Sequence, residues 1–108
     1  MLTAEAFARL PLHDALLDRI IIDWRAHTCV IEVRAFLARG EWAQTAELHF
    51  RGVSDVRVPH RAPWGESVSI NSVGAESDDY VLEVQSGDEI RIRADAVEFN
   101  RAPSGSTA

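Results

Sequence analysis

Apolar residues recur at every second position along most of this chain, and a period of two restricts it to strands with one dry face and one wet face. Ala46, Leu48 and Phe50 alternate with Glu47, His49 and Arg51. Ile20, Ile22 and Trp24 alternate with Arg19, Ile21, Asp23 and Arg25, and Cys29, Ile31, Val33, Ala35 and Leu37 continue the inward set with Glu32 and Arg34 outward. A turn through Arg25-Ala26-His27-Thr28 would set Trp24 opposite Cys29 and Ile22 opposite Ile31, placing Trp24 in the core. Face identity is strongly constrained, because a slip of one residue sends a whole apolar set into water.

The C-terminal half repeats the pattern. Tyr80, Leu82 and Val84 precede Ser86-Gly87-Asp88, and Ile90, Ile92 and Ala94 follow it. A three-residue loop there predicts Val84 opposite Ile90, Leu82 opposite Ile92 and Glu83 opposite Arg91, so that apolar meets apolar and charge meets opposite charge. Val97 and Phe99 extend the last strand after a break at Asp95. The phase also breaks at Gly52-Val53-Ser54, as a bulge would cause. Residues 60–67, with Pro63 and Gly65, predict a structured loop leading into the strand Ser67-Val68-Ser69-Ile70-Asn71, and residues 74–79 predict a turn. Leu2, Ala6, Phe7 and Leu10 recur at helical spacing ahead of Pro11, with Thr3 at the start.

These elements imply a mainly β chain: an antiparallel sandwich or a partly open barrel of six to seven strands with a short N-terminal helix. The 108 residues suit one β-rich domain over residues 1–101, followed by a flexible C-terminal tail over 102–108 that is rich in Ser, Gly and Pro. No apolar run is long enough to cross a bilayer and the first residues lack the pattern of a secretory signal, so the expected setting is the cytoplasm, with no membrane partner. The lone Cys29 reads as a small buried hydrophobe.

Charge narrows the chemistry. There are 17 acidic residues against 11 basic ones, a net −6, which argues against a nucleic-acid partner. All the basic residues are arginine, so Schiff-base chemistry, a pyridoxal-phosphate linkage and a phosphate-loop lysine are excluded. Arg51, Arg57, Arg91 and Arg93 interleave with Glu47, Asp55, Glu83 and Glu89, the composition of a salt-bridged wet face. His13, His27, His49 and His60 show no metal-binding spacing, and no serine sits in a nucleophile elbow. No cofactor, metal or catalytic residue is expected.

Two sets of candidates remain. His13 beside Asp14, with His60 and Arg61, would form a ligand-binding or enzymatic site if folding brought them together; otherwise Asp14 simply shapes a turn. Trp42, at a turn, and Trp64, in the Pro-Gly loop beside Glu66, either cover the core or anchor a protein partner. Three segments, Leu12-His13-Asp14-Ala15-Leu16-Leu17, Pro63-Trp64-Gly65-Glu66-Ser67-Val68-Ser69-Ile70 and Leu82-Glu83-Val84-Gln85-Ser86-Gly87-Asp88-Glu89-Ile90, together resemble small β-rich immunity-like proteins of bacterial polymorphic toxin systems. The resemblance spans most of residues 12–94 and implies a non-enzymatic inhibitor that binds one toxin. The leading expectation is a non-catalytic protein-binding module with Trp64, Glu66 and Trp42 facing the partner. A small-ligand or enzymatic domain is the alternative, and a self-associating module forming a homodimer through a strand edge is the third reading.

Overall fold

Strands dominate because the alternating sets find a common dry side. A computed structural model gives the architecture and describes residues 2–36, 42–59 and 69–101. A one-and-a-half-turn helix α1 (Ala4–Ala8) is followed by β1 (Leu16–Asp23), β2 (Thr28–Ala35), β3 (Gln44–Arg51), β4 (Asp55–Arg57), β5 (Ile70–Glu76), β6 (Asp79–Val84), β7 (Glu89–Arg93) and β8 (Ala96–Arg101). All the pairings are antiparallel, in two four-stranded sheets ordered β1-β2-β3-β8 and β4-β7-β6-β5. Among the described residues the sheets do not close into a barrel; a single bridge, Leu16 to Ser69, links them on one side.

On the other side the sheets share strands. β3 runs through residues 52–54 into β4, while its neighbour β7 runs through residues 94–95 into β8. The ladder is therefore one ribbon with a one-residue bulge: Arg51 faces Ala96 on one side of the bend and Asp55 faces Arg93 on the other. Gly52 makes the bend with a φ of 64°, and a β-carbon there would lie 2.2 Å from Asp95 Oδ2. Asp95 N–H donates to Arg51 O at 2.9 Å and Ser54 N–H to Arg93 O at 2.8 Å, so the corner loses few backbone bonds. The expected bulge at Gly52-Val53-Ser54 is present. Among the described residues the expected six to seven strands become eight because this ribbon changes sheet; counted there as continuous paths they are six.

The core lies between the sheets. Cys29, Ile31 and Val33 of β2, Ala46, Leu48 and Phe50 of β3, and Leu82, Val84, Ile90 and Ile92 of the other sheet all belong to one buried cluster. Burial pushes the Cys29 thiol up to about 11, which leaves it protonated and inert. Thr3 Oγ1 caps α1 by accepting from Ala6 N–H at 3.1 Å. The helix then drops Phe7 into the core, where its ring meets Tyr80 at 5.0 Å and Phe50 at 6.2 Å, edge-on in both cases. One short helix thereby ties both sheets together.

Both hairpin registers differ from expectation by two residues, with the faces preserved. Asp23 pairs with Thr28, Ile22 with Cys29 and Ile20 with Ile31. The cause is Asp23, whose Oδ1 accepts from Arg25 N–H at 3.0 Å and Ala26 N–H at 2.9 Å and so starts the turn one residue earlier. Trp24 leaves the core and becomes a loop residue. In the second hairpin Leu82 faces Ile90, Tyr80 faces Ile92, and Glu83 faces Glu89 rather than Arg91. Val84 N–H donates to Asp88 O at 3.0 Å, so the loop is residues 85–87 and Gly87, at φ 93°, is its last residue and not the middle one, donating to Val84 O at 2.9 Å. Arg91 instead bonds Glu89 and Glu76, at 2.9 and 3.0 Å, and these hold its guanidinium well above the ordinary arginine range. Residues 74–76 extend β5, so the expected turn over 74–79 shrinks to Ser77-Asp78, with Ser77 at φ 55°. The 60–67 loop and the 102–108 tail lie outside the described residues.

Candidate functional site: a tryptophan-walled cleft at the β1–β2 tip

The four-residue loop between β1 and β2 stands against the sheet crossover. His27, at φ 56°, turns its carbonyl to accept from Val53 N–H at 2.8 Å, which fixes the hairpin tip to the bend between β3 and β4. Between them lies an open cleft of about 260 Å³. Ile22 and Trp24 wall it from the hairpin, and Val53 and Val56 from the crossover. Asp23 and Asp55 belong to the same lining. Trp24 is 85% exposed, so its indole presents nearly its whole surface to solvent.

Local chemistry explains why the cleft is preformed. The Asp23 side chain is held by two backbone amides, His27 is locked in the left-handed region, and Val53 is bonded to the loop. Asp55 Oδ2 accepts from Arg57 Nε at 3.0 Å, an exposed pair that leaves the carboxylate wet. Apolar walls with a few fixed polar groups are the usual make-up of a recognition pocket, but this volume falls below the roughly 300–1,000 Å³ of small-molecule sites. It suits a single side chain.

His13, Asp14 and Trp42, singled out from the sequence, lie away from this cleft. His13 and Asp14 do meet, Nε2 to Oδ2 at 3.5 Å, although sequence neighbours usually diverge. His13 Nδ1 lies 2.8 Å from Asn71 O, and Asp14, at φ 67°, donates its N–H to Ile70 O at 2.8 Å. Both side chains are well exposed, and the pair sits ahead of β1 while the cleft lies at that strand's far end. Its other intended members, His60 and Arg61, lie outside the described residues, as do Trp64 and Glu66. Asp14 fills the turn role.

Trp42 is 91% exposed and covers no core. It precedes β3 at the end where Ala35 pairs with Gln44, whereas Trp24 lies at the other end of the same ladder, where Thr28 pairs with Arg51. The two tryptophans therefore cannot belong to one contact patch of side-chain size. His49 bonds Glu47 at 2.8 Å, Arg34 bonds Asp18 at 3.1 Å and Arg51 pairs with Glu98, giving the outer face of the first sheet the mixed-charge character anticipated from the sequence. Among the described residues no group of three or more His, Cys, Asp or Glu is placed to hold a metal ion, and no helix is long and apolar enough to cross a membrane.

Sequence reasoning missed Trp24 and the crossover valines as a site. The missing signal was Asp23-x-Arg25, an aspartate able to bond the amide two residues on, which moves the turn and frees Trp24. Comparison with protein-family models, with curated proteins and with solved structures finds no match. The functional reading therefore rests on the geometry of the cleft and on charge.

Proposed function

We propose that the protein is a non-catalytic binding module, immunity-like in role, that recognises a basic protein partner in the cytoplasm through the Trp24 end of its first sheet. The observation that supports this reading is the exposed Trp24 indole on the wall of a preformed cleft with two aspartates in its lining. Tryptophan is the residue type most enriched among interface anchors. A net charge of −6 steers a basic partner inward and raises the encounter rate at low salt. We read the two sheets as the halves of a sandwich, bent from one ribbon at Gly52, whose crossover supplies the second wall of the site.

A toxin partner is the natural form of this reading. Co-expression with the product of the adjacent gene tests it: the wild-type chain is expected to neutralise that product as a toxin and co-purify with it, and Trp24→Ala to lose both while remaining folded. A folded wild-type chain that leaves the toxin active and unbound, or a Trp24→Ala chain that neutralises it as well as wild type, overturns the proposal. Association slowing steeply with added salt is the further expected outcome, since opposite charges are screened beyond about 10 Å at 0.1 M ionic strength.

A further inference from the structure

The cleft is specific enough in its chemistry to name what enters it, an inference that rests on the partner reading above. We propose that it is an arginine-reading site: one guanidinium of the partner stacks on the face of Trp24 and directs its N–H donors at the carboxylates of Asp23 and Asp55, while the three-carbon stem lies against Ile22, Val53 and Val56.

Four observations converge on this occupant. A cleft of about 260 Å³ has room for one long side chain. Its apolar walls match the aliphatic stem of arginine or lysine, which buries against apolar surface while the charged head stays wet. Of its two acidic residues, Asp55 already pairs with Arg57 at 3.0 Å while Asp23 has no cationic partner among the described residues, so the lining keeps an anionic side that favours a cationic head. The exposed indole then selects between the two cations, because a planar guanidinium stacks on an aromatic face and reaches two carboxylates with a fixed fork of donors, whereas an ammonium is a compact, strongly hydrated point charge. The Asp23 carboxylate is already oriented by Arg25 N–H and Ala26 N–H, so binding needs little rearrangement of that side.

The test is a titration of the full chain, labelled for NMR at valine methyls and backbone amides, with three blocked tripeptides: Ac-Gly-Arg-Gly-NH2, its lysine analogue and its citrulline analogue, which keeps the arginine shape without the charge. The arginine peptide is expected to give saturable shifts at Val53, Val56 and Thr28. The lysine analogue should bind about fivefold more weakly, because its compact, strongly hydrated ammonium neither stacks flat on the indole nor presents a fork of donors, and citrulline should not saturate. Trp24→Ala should weaken the arginine peptide about fivefold or more, and Asp55→Asn less. Equal binding of citrulline, shifts confined to other parts of the chain, or undiminished binding by folded Trp24→Ala overturns the arginine site. If the toxin is still captured through Trp24 while no arginine peptide saturates, the arginine inference falls and the partner reading stands. If arginine saturates the cleft but no basic protein is bound, the reverse holds.

Discussion

β1 and β2 lie side by side in one sheet and are equally long, yet they are used differently. In β2 every inward side chain from Cys29 to Ala35 is fully buried, and the outward positions are polar or half-covered. In β1 no side chain is fully buried, and Ile21 and Ile22 remain 43% and 40% exposed. The difference is position: β2 has a neighbour on each side and the second sheet above it, whereas β1 is an edge that runs out beyond the core toward the hairpin tip. Apolar alternation thus specifies a face, but the depth of burial depends on what the other sheet covers. What is left uncovered on β1 leads directly to Trp24.

Truncation sharpens this contrast most. Ile31→Ala should cost about 2–5 kcal/mol, the range for emptying a packed aliphatic site, and Ile21→Ala about 1 kcal/mol or less, as measured by urea unfolding of both variants. Equal losses would mean that the edge is held as tightly as the centre. The ribbon corner provides a second comparison. Gly52→Ala imposes a positive φ on a residue with a β-carbon and drives that carbon into Asp95, so a loss of about 1–3 kcal/mol is expected from its thermal midpoint. A neutral result would show that the bend relaxes without strain.

A smaller effect separates the salt-bridged outer face from the core. Arg19 binds Glu32 through Nε and Nη2 at 2.9 and 2.8 Å, and these hydrogen bonds hold the Glu32 carboxyl below its usual range against a smaller opposing cost of desolvation. A carboxyl that is a stronger acid when folded adds stability above its unfolded pKa of about 4.3 and loses it as the pH falls through the lower folded value. Arg19→Gln should therefore melt below wild type at pH 7, and the gap should close in acid. A gap that widens in acid would contradict this assignment.

Much of the fold was legible in the residues themselves. Ala46, Leu48 and Phe50 against Glu47, His49 and Arg51 gave the correct faces of β3, Thr3 marked the start of α1, and Gly52 marked the bend. Registers were less legible because they hang on single turn residues: Asp23 bonding forward and Gly87 closing its loop each moved a ladder by two positions, keeping the faces of the paired residues while Trp24 left its strand. The division into two sheets was hidden because strand periodicity is the same on either side of a crossover. The cleft was hidden for a related reason, since the hairpin tip that carries Trp24 is brought to Val53 by a long-range bond, from Val53 N–H to His27 O. His13 and Asp14 were visible as a pair, but adjacency carried no information about a third group.

The core between the sheets holds the fold, and Trp24 lies outside it. Equilibrium urea unfolding of Trp24→Ala tests this most directly. The account predicts a stability within about 0.5 kcal/mol of wild type and an unchanged denaturant slope, as for a surface position. A loss of about 3–5 kcal/mol, the cost of removing a large aromatic from a packed interior, would contradict it.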